Sequence, residues 1–276
     1  MAFIQFIVSL IILGFIYSKM IKREVPSPIG KAQAIAPIFG GLISLLLSFA
    51  FFLSIAIVCS KFGYSIKDKV DILGSLISAF LVAGLPEEIA KLLMILLSLW
   101  IFRKKIRNVY EYMLIGAGVG FGFTLFEEFL YGSNGISMIA RVIIIAMHMF
   151  LGIIMAKHLG IAKYNKITGK GNVAKEYALA LIIPIALHTI YDACTACNYL
   201  LKSKDDNTIM IGIILGIIAV IAFFIIQIKI LIDFKKDTEK YCTMEFIPTA
   251  NGEAEVKSEV KETNVEEEIK ENDSEE

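Results

Sequence analysis

The chain has 276 residues, 57% of them hydrophobic, and a mean hydropathy of +0.70. Its apolar residues come in long blocks rather than at amphipathic spacing, which excludes an ordinary soluble domain and predicts an all-α, polytopic membrane helical bundle. The formal net charge of zero averages two unlike parts: residues 251–276 hold 11 acidic residues against 3 lysines, and the body before them is basic. Basic loops on such a body suggest anionic lipid headgroups as neighbours, and no nucleic-acid signature, internal repeat or phosphate-binding glycine loop is present.

At about 20 apolar residues per crossing, the blocks predict seven spans. They are residues 3–17, 34–59, 72–102, 112–131, 136–156, 177–200 and 209–234. The first has no basic segment before it and no clear small-x-small cleavage site after it, so it is expected to stay as an anchor. The third is longer than a perpendicular helix needs, and Pro86 is the expected place for a break. Such a kink would also open the helix to water. Alternate loops carry the cations: Lys19, Lys22, Arg23 and Lys31; then Arg103, Lys104, Lys105 and Arg107; then Lys157, Lys163, Lys166, Lys170 and Lys175; then Lys235, Lys236 and Lys240. By the positive-inside rule these face the cytoplasm of a cell-membrane protein with its N-terminus outside. Glycines Gly116, Gly118, Gly120 and Gly122 open the fourth span at small-residue spacing, as close helix packing requires. The acidic, weakly apolar end is expected to be a disordered cytoplasmic tail.

Ionisable residues inside the spans are expensive and so point to function. The third span carries Gly84-Leu85-Pro86-Glu87-Glu88-Ile89-Ala90-Lys91. Lys91 lies one turn from both carboxylates and neutralises one of them, leaving the other free for general acid–base work. The fourth span carries Glu127 and Glu128, which point about 100° apart on a helix. The fifth carries Arg141, near enough to an end to snorkel, and His148 near its middle. The sixth carries His188 and Asp192 at i and i+4, where the aspartate can orient the imidazole. Glu111, beside the third loop, is expected at the surface and solvated. Cys194 and Cys197 lack the partners of a zinc module and read as two small apolar residues one turn apart, with a disulfide as the other reading. The four polar spans offer their groups at compatible depths, which suggests one polar cavity open to water.

Glu87-Glu88-x-x-Lys91, Phe123-x-x-x-Glu127, Arg141 with His148, and His188-x-x-x-Asp192, in that order on successive spans, resemble the PrsW family of intramembrane proteases, akin to the CAAX prenyl protease and Abi families. The resemblance covers roughly residues 84–192. Glu128 stands where an asparagine would be expected. The resemblance implies a protease-like domain over residues 1–236, followed by the tail at 237–276. It also implies membrane-protein or peptide substrates in a lipid bilayer, sometimes anti-sigma factors.

The residues themselves are consistent with hydrolysis. Glu87 or Glu88 would take a proton from water, His148 and His188 with Asp192 would orient the water or meet the oxyanion, and Glu127 would complete the site. Lys91 and Arg141 are the charge partners. No serine or cysteine has a base at a suggestive spacing. His-x-x-x-His spacing with an intervening glutamate is absent, yet Glu88, Glu127, His148 and His188 are potential ligands for zinc, so metal-free and metal-assisted chemistry both stay open. A proton- or cation-coupled transporter would use the same Glu, His and Asp residues, and is the competing class.

Overall fold

The computed structural model describes residues 2–25, 27–63, 70–131, 136–245, 247–248 and 254–255. The helices are α1 (Ala2–Lys22), α2 (Lys31–Lys61), α3 (Ile72–Ala79), α4 (Leu85–Ile101), α5 (Val109–Tyr131), α6 (Ile136–Ile143), α7 (Met147–Thr168), α8 (Val173–Cys194) and α9 (Asp206–Thr243). Among the described residues, six helical stretches are long and apolar enough to cross a membrane; they hold α1, α2, α5, α6 with α7, α8 and α9. The remaining expected span is helical too, but in pieces: α3, a π-helical turn at Phe80–Gly84, and α4. The chain is therefore a multi-pass helical bundle.

Two helices form the centre. Of the most apolar window in α5, 78% of residues are buried inside the protein, and 72% of that in Ala140–Thr168, against 17–28% for the outer helices. Glycine makes this enclosure possible. A Cβ on Gly120 would run into the carbonyl of His148 on α7, and one on Gly122 would run into the carbonyl of Ile38 on α2. α5 is thus pressed against α2 on one side and α7 on the other, as small residues permit. α4 lies against α2, while α8 covers α7, α3 and the π turn.

The helix breaks have identifiable causes. Pro86 has no N–H and its ring crowds the carbonyl four residues back. The chain widens just before it: the Leu85 N–H donates to Phe80 O, five residues back. The expected kink is therefore a π turn that keeps the helix continuous. The fifth expected span breaks at residues 144–146, between α6 and α7, which puts His148 in the first turn of α7 rather than mid-helix. Gln227 of α9 compensates there, its Oε1 accepting from Ala146 N at 3.2 Å. Such a partner is needed where water cannot satisfy a broken helix.

The first and third basic loops and the end of α9 meet at one end of the bundle. Arg107 donates to Glu24 Oε1 at 2.9 Å and to Ser27 Oγ at 2.6 Å, and Val109 N donates to Met244 O. Glu111, expected in solvent, is buried here, its Oε1 accepting from Arg107 Nε at 2.7 Å. Asp233 and the residues to Thr243 belong to α9, so residues 237–243, assigned from sequence to the tail, are helical. Ile247–Pro248 and Ala254–Glu255 form a short antiparallel ladder. Of the tail, for which disorder was expected, residue 246, residues 249–253 and those after 255 lie outside the described residues.

Candidate active site

α4 supplies the charges around which the site is built. The Lys91 and Glu88 side chains are fully buried, with Nζ 2.7 Å from Oε1 of Glu88 and 4.0 Å from Oε2 of Glu87. Nζ also lies 2.9 Å from Nδ1 of His148 and 4.2 Å from the centroid of the Phe123 ring. Two carboxylates, an imidazole nitrogen and an aromatic face together compensate a buried ammonium.

The two histidines stand on neighbouring helices with their rings 5.1 Å apart and tilted at 69°. Nδ1 of His188 is 2.7 Å from Oε1 of Glu88, which accepts from it. Nε2 of His188 is thereby turned toward Oε2 of Glu87 at 3.7 Å and Oδ2 of Asp192 at 3.5 Å. The sequence pairs His188 with Asp192, but its tighter partner is Glu88, which orients the ring as a carboxylate orients a ligand histidine. His148 accepts from Lys91 at Nδ1, so its proton sits on Nε2, 2.9 Å from Oε2 of Glu127.

Glu127 and Glu128 share Arg141. The guanidinium is 3.3 Å from Oε1 of Glu127 and 2.7 Å from Oε1 of Glu128. Arg141 thus turns into the protein instead of snorkelling. Glu128 meets that cation most closely.

A cavity of about 660 Å³ opens onto this cluster. Its polar wall includes Glu127, Arg141, His148, His188 and Asp192. Pro86 does not line it, so the opening expected at the proline lies instead among α5, α6, α7, α8 and α9. Glu87 and Glu88 stand behind the histidines. Among the described residues, Oε2 of Glu87 is buried with no hydrogen-bond partner. One ligand atom each of Glu87, His148 and His188 lie within 4.8 Å of one another. Of the four ligands suggested by sequence this grouping holds His148 and His188; Glu88 and Glu127 fall outside it, Oε1 of Glu88 being engaged by Lys91 and His188, and Glu87 is in it instead.

All eight residues singled out in the sequence, Glu87, Glu88, Lys91, Glu127, Arg141, His148, His188 and Asp192, are joined in one network. Sequence reasoning missed Gln227, although a lone amide in the apolar run of α9 was its signal. It also missed Asn198 at the cavity wall, next to the cysteine pair. All four cysteines are free; Cys194 ends α8 and Cys197 lies in the turn after it.

Fold and site together define a polytopic membrane protein with a carboxylate–histidine centre inside its bundle. Residues 34–227 match the family model described as PrsW family intramembrane metalloprotease, and the chain belongs to that family. It is 31% identical over 146 residues to Protease PrsW of Halalkalibacterium halodurans, a match covering 51% of this chain and 62% of that relative. The chain thus matches less than two thirds of the length of this curated relative. No solved structure matches it.

Proposed function

We propose that the chain is an intramembrane peptidase in which Glu87 activates water against a peptide bond of a membrane-protein substrate. The observation that carries this reading is Oε2 of Glu87, buried without a hydrogen-bond partner among the described residues and 3.7 Å from Nε2 of His188, a cavity-lining residue. A carboxylate oxygen left without a donor in an apolar bundle is costly unless something else occupies its place during function.

Water seated beside Oε2 of Glu87 and Nε2 of His188 loses its proton to Glu87 as its oxygen bonds to the scissile carbonyl carbon. His148 presents the Nε2–H it holds toward Glu127 to the developing oxyanion. Glu87 then gives its proton to the departing amine as the C–N bond breaks, leaving a carboxylic acid and an amine. Glu88 fixes the His188 ring, and Lys91 holds both Glu88 and His148. Asp192 completes the orientation of His188, and Arg141 holds Glu127.

Two imidazoles and one carboxylate also form a donor set suited to a catalytic zinc, and the orphaned oxygen of Glu87 is a donor atom awaiting a partner. The residues fit such an ion, with Glu87, His148 and His188 holding it. Bound there, it would supply Lewis acidity and a more acidic water. Both ring nitrogens of His148 already have partners, so serving as a ligand requires it to release Lys91 or Glu127.

The test uses purified protein in proteoliposomes, with metal content and cleavage measured before and after chelation. Loss of cleavage in Glu87→Gln and His188→Ala supports the reading, and full cleavage in both overturns it. Metal that co-purifies, and that Glu87→Gln releases, supports the metal-assisted form. Cleavage that persists in metal-free protein eliminates that form and leaves glutamate as the base. An anti-sigma factor is one substrate this family reading accommodates.

A further inference from the structure

The cavity has an apolar wall that this chemistry does not use. α9 lines it with Gly212, Ile213, Gly216, Ile217, Val220 and Ile221, spaced along one helix face. Ile213, Ile217 and Ile221 are each about half exposed, so in a bilayer this wall is open to lipid.

At the α8 end of the wall stands Asn198, which is 5% exposed and lines the cavity. Its Nδ2 donates to the carbonyl oxygens of Cys194 at 2.9 Å and Gly212 at 2.8 Å. These bonds fix the amide: flipped, its own oxygen would confront two carbonyl oxygens. Oδ1 is buried, and among the described residues no donor reaches it. A Cβ on Gly212 would come within 3.2 Å of that oxygen, and one on Gly216 within 3.1 Å of the Cys194 carbonyl oxygen. The two glycines therefore let α9 pack closely on Leu200, Leu201 and the Cys194 carbonyl, which holds the unpaired acceptor at the cavity wall.

The kind of donor that belongs there follows from the bilayer. A helix in lipid bonds every backbone N–H internally, whereas a segment unwound for hydrolysis exposes N–H groups that hydrocarbon cannot satisfy. An acyl chain carries no such donor. We propose that Asn198 is a substrate-binding residue whose Oδ1 accepts a backbone N–H from an unwound, apolar segment of a membrane-embedded chain, seated in the cavity along the apolar face of α9. The inference rests on the peptidase reading and adds where the substrate lies. The segment enters along the lipid-open face of α9 and runs past Asn198 toward Asp192 and His188.

The test measures binding apart from turnover. The probe is a lysine-flanked, single-span peptide of leucine and alanine with a central Gly-Pro pair, made with successive backbone amides replaced by esters. Binding is read in proteoliposomes by photocrosslinking from a benzophenone side chain at Ile217, in protein carrying Glu87→Gln. One ester position is expected to weaken binding about tenfold, the size of one lost buried hydrogen bond. The same ester is expected to have under about twofold effect when Asn198→Ala is also present, since the acceptor is already gone. Ile213→Trp, which adds bulk to the lipid-facing cavity wall and leaves Asn198 and the α8–α9 contact in place, is expected to abolish crosslinking, and it decides the matter if Asn198→Ala does not fold. Equal binding of all the ester peptides, an ester effect of the same size without Asn198, or undiminished crosslinking in Ile213→Trp each overturns the inference. Cleavage of the all-amide peptide by the unsubstituted protein is scored separately. Cleavage with no dependence on Asn198 keeps the peptidase reading and overturns this inference. Asn198-dependent binding of a peptide that is never cut supports this inference and counts against the peptidase reading.

Discussion

At the scale of single residues, Lys91 holds the centre together. It neutralises Glu88, donates to His148 and rests on Phe123 with no exposure of its own. Removing one partner of a buried ion pair leaves the other uncompensated, at about 3–5 kcal/mol. Lys91→Met is therefore expected to lower the unfolding temperature in micelles sharply. Adding Glu88→Gln is expected to recover part of the loss, because the stranded carboxylate is then gone; full additivity of the two changes would show that the pair is not coupled. The membership of this network was legible in the sequence, since each residue is an ionisable group in an apolar run. Its pairing was not. Glu88 takes the i+3 lysine and, from another helix, His188, and only tertiary packing decides that Glu88 rather than Asp192 holds the imidazole closely. The exchange of Glu88 for Glu87 as the candidate ligand has the same origin.

At the scale of helices, the site depends on how closely α5 and α7 approach. Gly120 faces the carbonyl of His148, so Gly120→Ala must push α7 away and displace the imidazole. Cleavage is expected to fall by more than tenfold, since misplacement by about 1 Å costs about a hundredfold. Gly14→Ala, whose Cβ would meet only Phe121 at 3.9 Å, is expected to be neutral. Equal cleavage by the two variants would show that this helix approach does not position the site. The basic end carries a second device. Burial first, then the neighbouring Glu111, push the Glu24 carboxyl up to about 8 despite Arg107. A carboxyl raised in the folded state holds its proton more tightly there than when unfolded. The associated stability is full below its ordinary value near 4.5 and is lost as pH rises through about 8. Melting temperatures taken between about pH 5 and about pH 9 are expected to fall with pH. Glu24→Gln is expected to flatten that slope, and an unchanged slope would reject the assignment. Helix existence was legible because long apolar runs admit little else in a membrane. The breaks were less so: Pro86 announced a break but not its form as a π turn, and nothing local in Ile144-Ile145-Ala146 announces the gap before His148, which Gln227 on a distant helix makes tolerable.

At the scale of the whole molecule, the bundle gathers its basic loops at one end and its carboxylate–histidine centre inside, beside a cavity that opens between helices. We propose that the basic end is cytoplasmic and the N-terminus lies outside, consistent with the alternation of charged loops. Single cysteines placed in alternate loops are then expected to be labelled from opposite sides of intact cells, and labelling of all of them from one side would reject this topology. Six of the seven expected spans fall, among the described residues, on helical stretches long and apolar enough to cross a membrane, and the third is in pieces. The location of the cavity was not legible in the sequence, because it is formed by faces of five segments distant in sequence. The central claim is that Glu87 activates water for cleavage of a membrane protein, and the most direct measurement compares protein termini in membranes from cells carrying the native chain and cells carrying Glu87→Gln. At least one membrane protein is expected to accumulate uncut in the variant, with its new terminus reduced about a thousandfold, the scale of a lost general base. Identical termini in both membranes, with the variant folded and inserted at native level, would contradict the claim.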